Sequence, residues 1–196
     1  RDSSTSRGLG DVYKRQDPTY ILMLKGNADG MELAGRMGAS QLRNLLYAYK
    51  ERMDKNRFIQ NLLLDNLLLV DIYNQAKKMK IPAEIKRVVF VIEPKNEGDI
   101  LVQETLKGLY ATGTKDFVTA IDEKHIILVK SLQSTDDYPQ VEQIAKELVT
   151  TLNMEAMVSV RAAYGTIVEE LKDVSRSYKE ADMALSLIHI SEPTRR

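Results

Sequence analysis

The sequence predicts an α/β fold in the form of an α+β two-layer sandwich. Its element order is β-α-β-β-α-β-α from Arg87 onward, preceded by a long leucine-rich helix. Three observations carry this. "RVVFVIE" (87–93) is a near-continuous apolar run of the kind a central strand shows, with proline just before and after it. "DFVTAIDEKHIILVKSL" (116–132) reads as two strands about a tight turn at Asp122, Glu123 and Lys124. Between and after these lie stretches with apolar residues at helical spacing, and helices alternating with strands around one hairpin bury their apolar faces in layers.

Taken in order, "TYILMLKG" (19–26) has the β-branched and aromatic composition of a strand and stops at Gly-Asn. Turn residues follow, with Ser40 placed to cap a helix. From there Leu42, Leu45, Leu46, Tyr49 and Met53 form a helical stripe, and no Pro or Gly interrupts the chain before Pro82. The pattern fits one long helix over 36–81, or two with a hinge near 54–57. "FIQNLLLDNLLLVDIYNQAKKMKI" (58–81) is apolar on more than one face, so a domain, a partner helix or both must cover it. Leu63, Leu67 and Val70 are the expected dimer and coupling contacts of this stretch, in the manner of a parallel signalling helix.

After the strand at 87–93 come a polar loop, a helix from about Ile100 to Tyr110, and the hairpin. A helix carrying Val141, Ile144, Ala145, Leu148 and Leu152 at helical spacing follows. "MVSVRAAYG" (157–165) is the last strand, and "IVEELKDVSRSYKEADMAL" gives one or two helices with a Ser-x-x-Glu capping box at Ser177 and Glu180.

The ends read differently. "SRGLGDVYKRQ" (6–16) and "LSLIHISEPTR" (185–195) can be encoded by one DNA segment read on opposite strands, without a mismatch. Selection on proteins has no reason to produce such a match, and the segment resembles a transposase adaptor used to prepare sequencing libraries. Residues 1–16 and 186–196 are therefore expected to be adaptor-derived and foreign to the fold. His125 is then the only native histidine, and a slight excess of acid remains.

Composition narrows the chemistry. Zero cysteines remove disulfides, thiolate zinc sites and a cysteine nucleophile, and make a cytoplasmic setting the default expectation. No apolar run approaches the roughly 20 residues of a spanning helix, so no membrane partner is expected. Lysine plus arginine and aspartate plus glutamate both total 28, so no global basic field draws in nucleic acid. One native histidine and no Gly-x-Ser-x-Gly elbow leave hydrolase triads without material, and neither a P-loop nor metal-ligand spacing is present. No catalytic residue, cofactor or metal is expected.

The strand order is ferredoxin-like, and it is also that of the nucleotidyl cyclases that make cyclic dinucleotides. Those enzymes carry Gly-Gly-Asp/Glu-Glu-Phe in the hairpin, where glycines admit the nucleotide and acids hold divalent metal. Here the hairpin reads "AIDEKHI": Asp122 and Glu123 keep the charge, and no glycine precedes them. The first strand ends in Glu93 before Pro94 where a metal-binding aspartate would stand, while Gly98-Asp99 echoes the dipeptide that opens a cyclase helix.

Residues 82–185, with "RAAYG" (161–165) and the run Ser177, Tyr178, Glu180, Ala181, resemble the degenerate GGDEF-like middle domain of CdaR/PucR-type regulators of sugar-diacid and purine catabolism. That resemblance implies a bacterial transcription regulator and not an enzyme. Residues 17–35 would end an amino-terminal domain sensing a small-molecule effector, and 36–81 would be the signalling and dimerisation helix of a homodimer. DNA would be bound by a helix-turn-helix domain missing beyond this stretch. Two alternatives stay open: a cyclase-like module that binds a nucleotide or metabolite, and an active diguanylate-type cyclase.

Overall fold

A computed structural model describes residues 23, 25, 30–95, 100–111 and 115–191. Most of the expected strand at 19–26, and Gly98-Asp99, lie outside the described residues. The chain divides into two compact units, Arg1–Tyr49 and Lys50–Arg196. Among the described residues, the first holds Gly30 (φ +96°) and the start of helix α1 (Met31–Leu63).

The second unit holds the rest of α1, then α2 (Leu69–Lys78), β1 (Arg87–Pro94), α3 (Ile100–Tyr110), β2 (Phe117–Ala120), β3 (Ile126–Ser131), α4 (Tyr138–Glu155), β4 (Val160–Tyr164) and α5 (Val174–Ser191). A short 3-10 turn, Leu171–Asp173, launches α5. The sheet order is β2-β3-β1-β4, antiparallel throughout, as the β-α-β-β-α-β order requires when each crossover leaps one strand.

Alternation along β1 builds two cores. Val88, Phe90 and Ile92 meet Val102 and Leu106 of α3 and Val141, Leu148 and Leu152 of α4. Val89 and Val91 meet Phe58, Ile59, Leu62 and Leu63 of α1, Ile72 and Ala76 of α2, and Ala181 and Leu185 of α5. The sheet is thus covered on both faces, which explains why β1 is apolar without alternation. The sandwich gains a helical layer beyond the two that were expected.

The leucine-rich segment is a helix pair whose hinge falls at 64–68 and not near 54–57, while its far end stops just before Pro82, as expected. α1 runs straight through 54–57, helped there by a Lys55–Glu51 ion pair of 2.7 Å. It ends where Asp65 turns left-handed (φ +61°), with Asn66 N–H bonding Asn61 O and Asp65 N–H bonding Leu62 O. α2 ends the same way at Lys80 (φ +58°), where Ile81 N–H reaches Ala76 O and Lys80 N–H reaches Lys77 O. Both are Schellman endings, formed without the glycine that usually marks them. Ser40 lies inside α1 and is not its cap, because the glycines at 35 and 38 are tolerated within the helix.

The capping box belongs to α4, not α5. Asp137 and Gln140 exchange side-chain bonds with each other's backbone N–H at the start of α4. Ser177 and Glu180 sit inside α5, whose first residue is Val174. α5 also continues to Ser191, since neither Gly nor Pro interrupts it before Pro193, and Leu185 within it is wholly buried. Among the described residues, no helix is long and apolar enough to cross a membrane.

Candidate functional site

The register gathers the candidate acids at one end of the sheet. Ile92 of β1 pairs with Ile126 of β3, so the hairpin tip 121–125 lies beside Glu93. On the other side Glu93 pairs with Arg161 of β4. Glu93, Asp122 and Glu123 therefore share an end of the sheet, as the strand order predicts.

Two of the three have protein partners. The Arg161 guanidinium donates Nη2 to Glu93 Oε2 at 2.9 Å, across adjacent strands and in a half-buried setting. Asp122 accepts the backbone N–H of Lys124 (2.8 Å) and of His125 (2.7 Å), and its second oxygen lies 2.8 Å from His125 Nδ1. This is an Asx-type turn, the local use to which short acids are suited. Partial burial opposes ionisation of Asp122, but the bonds to His125 and to the two backbone N–H groups outweigh it and hold the carboxyl below its ordinary value. Glu123 is exposed at the tip. Among the described residues, no three His, Asp or Glu side chains converge to hold a metal.

The hairpin is fastened to the helices behind it. Gln60 of α1 donates Nε2 to Ala120 O at 2.8 Å. Tyr178 of α5 packs on the core beside Ile121, and burial, then the Asp182 and Asp122 carboxylates, push its hydroxyl pKa up.

The run Ser177, Tyr178, Glu180, Ala181 is a clamp between α5 and the sheet. β4 leaves β1 after Tyr164, and Ser177 Oγ accepts the Val89 N–H at 3.1 Å on that central strand. Ser177 is wholly buried, as is Ala181 beside it. The approach is close enough that a Cβ on Gly165 would lie 1.9 Å from the Ser177 carbonyl oxygen, so only glycine fits at the end of "RAAYG". Glu180 then accepts from the Thr166 N–H (2.9 Å) and from the Thr166 hydroxyl, holding the strand-to-helix connection.

The leucine contacts divide between inside and outside. Leu63 is wholly buried in its own chain's core, so it does not offer the open partner contact expected of it, while Leu67 packs against that core and stays partly exposed. Val70 remains 69% exposed, with Leu68 and Leu69 beside it. The domain itself covers most of the two-faced apolar stretch.

One residue went unnoticed in the sequence. Arg87, at the head of β1, is wholly buried; burial pushes its guanidinium pKa down to about 10, against the pull of Asp116. Its only signal was a charge opening an otherwise apolar strand. A shallow cavity of about 570 Å³ lies nearby, lined by Glu84, Ile85, Lys86, Leu132, Ser134, Glu169 and Glu170. Three carboxylates against one ammonium make it unfavourable for a phosphate or a diacid.

The sequence matches the GGDEF-like domain family over residues 66–187. No curated protein and no solved structure matches the chain.

Proposed function

This chain belongs to the GGDEF-like domain family, and from that premise we propose that its domain is a non-catalytic coupling unit of a bacterial transcription regulator resembling the CdaR/PucR type. In this reading a small metabolite is sensed before α1, the domain relays the change and contributes to a homodimer, and DNA is bound beyond α5 in the cytoplasm. The observation that supports it is how the acids at the sheet end are used. Glu93 is paired with an arginine and Asp122 with its own turn, so a divalent metal would have to displace protein partners that cost nothing further to keep.

The hairpin supports the same reading. Ala120 and Ile121 precede Asp122 where a nucleotide would need a bare backbone, and Ala120 O is already bonded to Gln60. The stripe on α1, with Leu45, Tyr49 and Met53 exposed, supports a homodimer.

Incubation with GTP and Mg²⁺ or Mn²⁺ should yield no cyclic dinucleotide, and calorimetry with GTP should show no heat of binding. Product formation would establish the cyclase instead, and binding without turnover would establish a nucleotide-binding module. The intact gene should encode a helix-turn-helix within a few hundred residues after α5; its absence would sink the regulator.

A further inference from the structure

Arg87 is a buried charge whose side-chain hydrogen bonds go to carbonyls and not to a carboxylate; Asp116 acts on it only through space. Its Nη2 donates to Pro82 O and its Nη1 to Ile85 O (3.4 Å), while Nε finds no acceptor among the described residues. Stripping water from a guanidinium is costly, and this one spends its donors on two carbonyls of the connection between α2 and β1. That connection is irregular backbone lying against the core, so its carbonyls need donors from elsewhere.

The same few residues of β1 hold the approach to α5. The backbone of Arg87 exchanges both its bonds with Val168, at 2.7 and 2.8 Å. Val89 gives its N–H to Ser177 Oγ and takes the Gly165 N–H on its carbonyl at 3.0 Å. The two connections also bond each other directly: Leu171 N–H reaches Ala83 O at 2.8 Å, and Tyr73 of α2 donates its hydroxyl to Glu170 at 2.9 Å. Segments 82–85 and 165–171 and helix α5 therefore interlock around Arg87 and Val89. The side chains of Val88 and Phe90 point to the opposite face, toward α3 and α4.

We propose that Arg87 pins the α2–β1 connection into this interlock, so that the connection, the 165–171 segment and α5 release from the sheet as one cooperative unit while the α3–α4 layer stays in place. Movement of α2 is then transmitted to α5 through residues 87–89 of one strand, with no ligand required inside the domain. This goes beyond the coupling role above, because it concerns only how the chain opens and would hold equally for an enzyme.

Hydrogen exchange on the full chain tests it with two variants entering from opposite ends, Arg87→Met and Ser177→Ala. Each should speed exchange about tenfold or more at Ile81, Val168 and Leu171 and also at Tyr178 and Ala181, leaving Leu106 and Leu148 near wild type. Acceleration confined to the mutated end would overturn the proposal, and so would equal acceleration in α3 and α4. If Arg87→Met does not fold, Ser177→Ala decides alone: unchanged exchange at Ile81 and Leu171 refutes the linkage.

Discussion

Replacing Gly165 with alanine should damage this fold severely, because the added methyl has nowhere to go. The new Cβ would stand 1.9 Å from the Ser177 carbonyl oxygen, 2.7 Å from its carbon and 2.9 Å from its Cα. All three are backbone of α5, so no side chain can rotate away. Relief requires α5 to retreat by more than about an ångström, and overpacking of this kind costs about 1–3 kcal/mol. The same retreat stretches the 3.1 Å bond from Val89 N–H to Ser177 Oγ beyond bonding range. A buried unsatisfied N–H adds about 1–3 kcal/mol. Reduced freedom of the unfolded chain returns only about 0.4–1 kcal/mol. The net loss is then about 1–5.6 kcal/mol, which at a urea slope of about 1–3 kcal/mol per molar moves the unfolding midpoint down by about 1.5 M at mid-range and by about 0.3 M at the least. Urea titration followed by circular dichroism reads this directly. Gly108→Ala in α3, where an added Cβ meets nothing within 4 Å, is the control and should stabilise by about 0.5–1 kcal/mol. A Gly165→Ala midpoint equal to wild type would refute the claim that close approach dictates this glycine.

Other changes separate structure from signalling. Leu63→Ala should cost about 2–5 kcal/mol as a core truncation, measured by the same titration. Val70→Asp, on an exposed position, should leave the unfolding free energy within about 0.5 kcal/mol of wild type. If α2 contributes to a dimer, it should also shift sedimentation to the monomer; a wild-type chain that sediments as a monomer would remove that role. The depressed Asp122 pKa means its turn contributes stability above the ordinary carboxylate range, lost as pH falls through the folded pKa; Asp122→Asn should flatten that acid limb in pH-dependent melts. Arg161→Met should destabilise by leaving Glu93 half-buried without its guanidinium, and adding Glu93→Gln should recover about 1 kcal/mol, a non-additivity that a double-mutant cycle measures.

The strand order was legible because each strand announced itself locally: β1 by its unbroken apolar run, β2 and β3 by the turn between them. What the sequence hid were positions whose meaning is set by a neighbour far along the chain. Ser177 and Glu180 have the spacing of a capping box, and nothing local reveals that their partners are Val89 and Thr166. The hinge at Asp65 was misplaced because it is not a glycine, so the usual signal for a helix end was missing, whereas Pro82 marked the end after Lys80. Leu63 and Val70 look alike in an apolar string, and only the sheet beneath decides which faces inward. The resemblance to the GGDEF-like family rested on the strand, the hairpin, "RAAYG" and the run from Ser177 to Ala181, and the last two contain the residues that fasten α5 to the sheet.

Asp65 and Lys80 bracket α2, and each holds a left-handed backbone that opposes its own preference by about 1–2 kcal/mol. α2 is thus suspended between two elbows bent against their grain, and it keeps its place only while its neighbours grip it. Asp65 has its ion pair with Lys179 of α5 at 2.8 Å, and the chain after Lys80 has the carbonyls that Arg87 holds. The burial of Ile72 and Ala76 of α2 in the core is what offsets the cost of both elbows. The shape of this corner is borrowed from what surrounds it, and a borrowed shape can be given back.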